Sequence, residues 1–241
     1  MDEGESRLRK SFSAQGYMVL PRFLADYEIG GLEARLSRDT GALTGSRALL
    51  ELPWCMSLAM RIRGDSRLSS VLPIGSRAVL CTYFEKSPAR NWLVALHQDL
   101  SIPVAERTEA LGYAGWSKKD GRLFVQPPLE VLEQSVAVRV HLDASDEDTG
   151  ALKVVPRSHS LGRLRPQQAL AARDAHGERS VPVPRGGLML MRPLLLHASS
   201  KVIGNARRGV LHFLFGPPCL PGGVQWPQPK HTQISRDVCS L

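Results

Sequence analysis

Ser135-Val136-Ala137-Val138-Arg139-Val140-His141-Leu142-Asp143 alternates in side-chain character residue by residue. In an extended chain Val136, Val138, Val140 and Leu142 fall on one face and Arg139, His141 and Asp143 on the other, the period of a β-strand with one apolar face. The turn signal Asp148-Thr149-Gly150 follows this segment, and a further extended run, residues 151–155, begins after it. The same texture continues in both directions. Residues 78–84 and 92–100 lie upstream and residues 188–191, 194–199 and 208–215 downstream, with Arg185-Gly186-Gly187 and Gly204-Asn205 as punctuation. Short strands bounded by turns, with no helices alternating between them, favour an antiparallel sandwich or jelly roll over a doubly wound parallel sheet.

Upstream of this region the period changes. Ile29, Leu32 and Leu36 recur at helical spacing and a cap signal stands at Asp65-Ser66, so residues 1–76 read as largely helical, packed outside a β core of residues 77–216. The tail, residues 217–241, opens with Pro-Pro-Cys-Leu-Pro-Gly-Gly, which excludes regular structure and leaves a lid or a packed coil. One domain, 1–241, is expected, because a chain of this size buries roughly 70% of its surface and can close one core.

The chain has 31 Lys+Arg against 23 Asp+Glu, a net charge of +8, but the basic residues are scattered and only 6% of residues are aromatic. That pattern argues against a nucleic-acid partner and is compatible with an anionic small molecule. The best candidate for a membrane span, residues 188–196, is too short and carries Arg192 and Pro193, so no membrane association is expected. The acidic opening Met1-Asp2-Glu3-Gly4-Glu5 is unlike a secretory signal, and a cytoplasmic location is expected. Cys55, Cys81, Cys219 and Cys239 lie far apart without a Cys-x-x-Cys pair, which offers neither a zinc site nor a redox motif, so reduced thiols are expected.

On a strand, His-x-Asp directs an imidazole and a carboxylate to the same side, two-thirds of the 2-His-1-carboxylate triad that holds non-haem iron(II). The pattern occurs twice, as His97-Gln98-Asp99 and as His141-Leu142-Asp143, and spacing alone does not choose between them. A third ligand must come from a later strand, where His197 follows Leu194-Leu195-Leu196. Eleven residues further on, Arg208 opens another strand and offers a bidentate grip for the far carboxylate of an iron-chelating cosubstrate, while Ser199 shares the face of His197. If the polar face of 135–143 lines the interior, Arg139 and His141 are substrate-contact candidates, with Asp143 a possible partner for Arg139; the other reading is a solvated outer face. Trp116 and Gln126 fall in a long stretch suited to a pocket-covering loop or to ordinary packing. His159 reads as structural, and His176 and His231 as solvated loop residues.

Taken together these segments resemble the phytanoyl-CoA dioxygenase family of iron(II)- and 2-oxoglutarate-dependent oxygenases, over most of the chain. Gly16-Tyr17-Met18-Val19-Leu20-Pro21 is similar to the family's N-terminal entry and Asn91-Trp92-Leu93-Val94-Ala95-Leu96-His97-Gln98-Asp99 to its first metal motif. His141-Leu142-Asp143 through Gly150-Ala151-Leu152-Lys153-Val154-Val155-Pro156-Arg157-Ser158-His159 resembles its next landmark, a strand, a turn and a Pro-Gly-Ser-His segment. The resemblance implies a double-stranded β-helix (a mainly β, cupin-like jelly roll) with iron(II) on His97, Asp99 and His197. It implies 2-oxoglutarate as cosubstrate, its far carboxylate on Arg208 and Ser199 with Thr82 a weaker candidate, and dioxygen as oxidant. Oxidative decarboxylation to succinate and carbon dioxide would accompany hydroxylation of an aliphatic carbon in a small or thioester-bound substrate. An acidic ligand at Asp99 speaks for hydroxylation over halogenation, since halogenating relatives carry a small residue there; desaturation and ring formation use the same ligands and stay open. Two departures stand out: Arg157 where the family has Gly before Ser-His, and Leu96 where many relatives have Trp before the first ligand. The alternative from another class is a metal-binding or degenerate jelly roll without oxygenase activity.

Overall fold

The computed structural model describes residues 3–40 and 45–228. Helices α1 (Glu3–Gln15) and α2 (Asp26–Thr40) flank a short strand, β1 (Tyr17–Leu20), and α3 (Pro53–Gly64) follows. The strands then run β2 (Arg77–Lys86), β3 (Val94–His97), β4 (Ile102–Val104), β5 (Ala114–Lys119) and β6 (Arg122–Gln126), with α4 (Leu129–Glu133) before β7 (Val136–His141). The chain continues through β8 (Leu152–Val154), α5 (Pro166–His176), β9 (Arg179–Val181), β10 (Leu188–Met191), β11 (His197–Ser199) and β12 (Arg208–Gly216). Among the described residues no helix is long and apolar enough to cross a membrane.

All strand pairs among the described residues are antiparallel. A five-stranded sheet has the order β1-β10-β7-β12-β2, a four-stranded sheet the order β3-β11-β8-β9, and a small third sheet the order β4-β6-β5. The first two pack face to face, with Ala137, Met189 and Met191 against Leu152, Val154 and Val181, so the roll has the expected jelly-roll architecture. The outer face of the large sheet is covered by the helices, as the helical period predicts: Ile29, Leu32 and Leu36 of α2 and Leu58 and Ile62 of α3 pack with Val136, Val138, Val140, Leu211, Phe213 and Phe215. Asp65 accepts a hydrogen bond from the Arg67 amide at 3.0 Å and opens the short 3₁₀ turn Ser66–Leu68 where the cap signal stands.

Every residue of β7 is buried, so the reading of its polar face as solvated is overturned: Arg139 and His141 point into the roll. Asp143 does not partner Arg139. The strand ends at His141, and beyond it the Asp143 carboxylate accepts from the Gly209 amide at 2.7 Å and pairs with Arg185 and Arg207. The stretch expected to be a loop over the pocket, which holds Trp116 and Gln126, is instead the β4-β6-β5 sheet. Within the N-terminal region expected to be largely helical, residues 17–20 form β1 on the free edge of β10. The described part of the tail is a packed coil, in which Trp226 is 2% exposed and donates to the Pro217 carbonyl at 2.9 Å. His159 is structural, its ring against the Ser13 carbonyl at 3.0 Å; His176 ends α5 rather than lying in a loop, and His231 lies outside the described residues. Cys55 and Cys81 are buried free thiols as expected, but Cys219 is disulfide-bonded, which overturns the expectation of reduced thiols for that residue.

Arg157, the departure from the family's Gly, has φ +71, in the left-handed region where a Cβ is unfavourable. Arg157→Gly is therefore expected to stabilise the fold by roughly 0.5–1 kcal/mol, the relief of left-handed strain less the entropy that glycine adds to the unfolded chain. Thermal unfolding should move up by about 1–3 °C, and a lower midpoint would mean that the arginine side chain contributes more than its backbone costs.

Candidate active site

β3 and β11 are neighbours, and their register sets His97 directly opposite His197. The two rings lie 4.2 Å apart between centroids. Each ring is oriented by its own strand: His97 Nδ1 donates to the Ala95 carbonyl at 2.8 Å and His197 Nδ1 to the Leu195 carbonyl at 2.9 Å. A carbonyl only accepts, so in the neutral ring the proton sits on Nδ1 and Nε2 keeps its lone pair. Both Nε2 atoms face Asp99, which follows β3 and is anchored by its amide donating to the Pro193 carbonyl at 2.9 Å. His97 Nε2 lies 3.7 Å from Asp99 Oδ1 and His197 Nε2 3.8 Å from Oδ2, too far for hydrogen bonds. The three ligand atoms fall within 4.8 Å of one another. Two unprotonated nitrogens and a carboxylate converging at this spacing, with backbone groups fixing both tautomers, fit a divalent transition metal.

The electrostatics agree. Burial holds the His197 pKa down to about 4 even though Asp99 opposes the shift, so the ring is neutral at physiological pH. Burial raises the Asp99 pKa, but the charges of the His197, His212 and His97 rings, present once those rings protonate in acid, together with that of Arg139 outweigh it and hold the carboxyl below its ordinary value. The second His-x-Asp copy builds no such cluster. His141 lies on β7 with both ring nitrogens buried and without hydrogen-bond partners, and Asp143 faces the surface arginines.

A cationic compartment adjoins this cluster. Arg208 at the head of β12 faces Lys86 at the end of β2, and both are almost fully buried. Lys86 Nζ donates at 2.7 Å to Ser199 Oγ and at 2.7 Å to the Ser200 carbonyl. Arg208 Nη1 donates to the Gly150 carbonyl, while its Nε is buried without a partner. Gly150 has φ +68, and a Cβ there would stand 2.5 Å from the Ser200 carbonyl oxygen, so this turn has to be glycine for Arg208 and the β11 end to meet it. Burial, then the Arg208 and Arg139 charges, push the Lys86 pKa down to about 7; burial brings Arg208 to about 10. Among the described residues, three buried cations, Lys86, Arg139 and Arg208, have Asp99 as the one carboxylate acting on Arg139 and none on the other two, the environment of an anion site.

The metal-side cluster opens into a cavity of about 440 Å³ whose wall includes His97, Asp99, Thr82, Phe84, Gln126, His212 and Leu214, with Arg47 and Lys119 also lining it. The structure thus gathers His97, Asp99 and His197 at one point, sets Ser199 and Arg208 together beside them, and puts Thr82 and Gln126 on the cavity wall. Trp116 stacks under Arg107, 5.6 Å from the guanidinium, and is not part of that wall; Arg139 and His141 are interior but do not line it, and neither do Lys86, Ser199 and Arg208. Sequence reasoning misses Lys86 and His212. The signal for both is alternation, since Lys86 shares the face of Thr82 on β2 and His212 the face of Arg208 on β12.

A model of the phytanoyl-CoA dioxygenase family matches residues 63–210. Among solved structures, the chain is similar to SnoK, a non-haem α-ketoglutarate-dependent carbocyclase from nogalamycin biosynthesis, with 15% identity over 92% of this chain and 89% of that one and a TM-score of 0.60. It is likewise similar to HygX from Streptomyces hygroscopicus with nickel and 2-oxoglutarate bound (17% identity, 90% and 87% covered, TM-score 0.57). EctD from S. alaskensis with bound iron gives 17% identity, 90% and 79% coverage and a TM-score of 0.65. No curated protein matches.

Proposed function

The chain belongs to the phytanoyl-CoA dioxygenase family of non-haem iron(II)- and 2-oxoglutarate-dependent dioxygenases, and on that premise we propose that it hydroxylates an aliphatic carbon of a small or carrier-bound organic substrate. The balance is one dioxygen, one 2-oxoglutarate and one C–H bond giving an alcohol, succinate and carbon dioxide. His97, Asp99 and His197 would hold the iron, which supplies the site of dioxygen reduction and C–H oxidation. The chain's own part is positioning. The Ala95 and Leu195 carbonyls keep the ligand nitrogens unprotonated, and the Pro193 carbonyl fixes the Asp99 backbone. Arg208, Lys86 and the Ser199 hydroxyl would hold the far carboxylate of 2-oxoglutarate, with Lys86 already ordering Ser199. Phe84, Phe124 and Leu214 give the cavity an apolar wall for the carbon to be oxidised, and Lys119 suits a carboxylate or phosphate elsewhere on the substrate, while Arg47 on the same wall is already paired with Asp120.

The observation that carries this reading is the pair of backbone-fixed histidines whose free Nε2 atoms converge on one carboxylate. A degenerate jelly roll would have no reason to keep that orientation together with a buried arginine lacking a carboxylate partner. Anaerobic addition of iron(II) and then 2-oxoglutarate is expected to give a weak visible charge-transfer band, and admission of air should produce succinate. A protein that binds iron but gives neither band nor succinate is the degenerate form.

A further inference from the structure

A third imidazole meets Asp99, and its hydrogen bonding is opposite to that of the other two. His212 on β12 lies in register with Thr82 on one side and Arg139 on the other. Its Nε2 is 3.8 Å from Asp99 Oδ2, the same separation as that of His197. Its Nδ1, however, faces Arg139 Nη1 at 3.0 Å. A guanidinium only donates, so His212 Nδ1 is the acceptor and the ring proton is on Nε2. Where His97 and His197 present lone pairs to the centre, His212 presents an N–H. The ring has little freedom to change this: Phe84 meets it edge-on at 5.9 Å, and Arg139 is itself buried in the interior.

We propose that His212 is a positioning residue of the metal centre: fixed by Arg139 as the Nε2–H tautomer, it donates to Oδ2 of Asp99, holding that carboxylate in place and staying out of the coordination shell itself. This rests on the reading that His97, Asp99 and His197 hold the metal. A movement of about 1 Å in the carboxylate brings the present 3.8 Å contact to ordinary hydrogen-bond length. The arrangement explains why a third histidine can stand beside an iron site without occupying a position needed by cosubstrate or dioxygen. It also gives buried Arg139 a function that needs no contact with the cavity.

The test is a titration of the metal-free full chain with Ni²⁺ alone, together with thermal unfolding of the metal-free forms. His212→Phe keeps a ring of similar size without the N–H and should weaken Ni²⁺ binding about tenfold, the scale of outer-shell changes around metal ligands. His212→Gln restores an N–H donor and should recover most of that loss. Arg139→Met should weaken binding in the same way, and combining it with His212→Phe should add nothing further. Wild-type affinity in His212→Phe overturns the proposal, as does a His212→Gln variant no better than Phe, or additive effects in the double variant. Complete loss of Ni²⁺ in His212→Phe, matching His97→Ala, would make His212 a ligand and overturn it too. Should His212→Phe fail to fold, His212→Gln and Arg139→Met decide: Arg139→Met binding Ni²⁺ like wild type overturns the proposal. Undiminished binding in His97→Ala would instead remove the underlying metal-site reading.

Discussion

His97→Ala is expected to abolish metal binding and turnover, while His141→Ala leaves the metal stoichiometry intact. The sequence offers two His-x-Asp copies, but only one has its imidazole opposite a second histidine, with both Nε2 atoms within 4 Å of the same carboxylate. Removing His97 leaves two of three donors, and the loss should exceed the ~10–100-fold that outer-shell changes produce. His141, by contrast, sits on the facing sheet with both nitrogens buried and unpartnered. Its removal leaves a small cavity but also takes away two unsatisfied polar atoms, so stability should change little. Metal analysis of the purified variants, with unfolding midpoints as a control, checks this. Equal loss of metal in both, or loss in His141→Ala alone, would transfer the centre to the other copy.

Arg208→Ala should bind iron normally yet require far more 2-oxoglutarate. Truncating one member of a buried, hydrogen-bonded charge pair costs about 2–5 kcal/mol, which corresponds to a rise of roughly 30- to several-thousand-fold in the apparent constant for the cosubstrate. An unchanged requirement would return Arg208 to a structural role at the Gly150 carbonyl. Lys86 adds a pH signature. Its pKa is pushed down to about 7 by burial and by Arg208 and Arg139, so the free enzyme loses this positive charge as pH rises through neutrality. An anion binds the charged form better, and its binding in turn raises the pKa; 2-oxoglutarate affinity should therefore fall on the alkaline side, with the bound-state midpoint above 7. Lys86→Met should bind the cosubstrate more weakly and with a flatter dependence between about pH 6 and 9. A wild-type profile already flat over that range would contradict the assignment.

How far such features can be read in advance depends on what fixes them. Residues 188–191 and 208–215 are legible as strands because they are apolar, β-prone and bounded by Gly-containing turns, and the observed β10 and β12 differ from those limits by at most one residue. The β4-β6-β5 sheet is not legible: Gly112, Gly115 and Gly121 interrupt it, and Ser117-Lys118-Lys119 has no apolar alternation, so pairing rather than local preference makes it. β1 and β9 are only four and three residues long and owe their conformation to β10 and β8. At the site, His97, Asp99, His197, Ser199 and Arg208 stand at readable spacings. Lys86 lies just past the end of the strand that its neighbours announce, and His212 acquires meaning only once Asp99, over a hundred residues earlier, is beside it.

Among the described residues β3 is the outermost strand of its sheet, paired to β11 alone. His97 is its last residue and Asp99 lies just beyond, while His197 belongs to β11. A cation shared by these three would clasp this edge strand to its neighbour. At a free concentration a hundred times its dissociation constant, such a ligand adds about 2.7 kcal/mol against any opening that breaks the site. Amide exchange at Val94, Ala95 and Leu96 should accordingly slow in the metal-loaded protein and quicken in the stripped one, where the released strand also becomes the natural entry point for a protease. Iron supply would then govern how long each molecule lasts in addition to whether it works, and scarcity would thin the population itself.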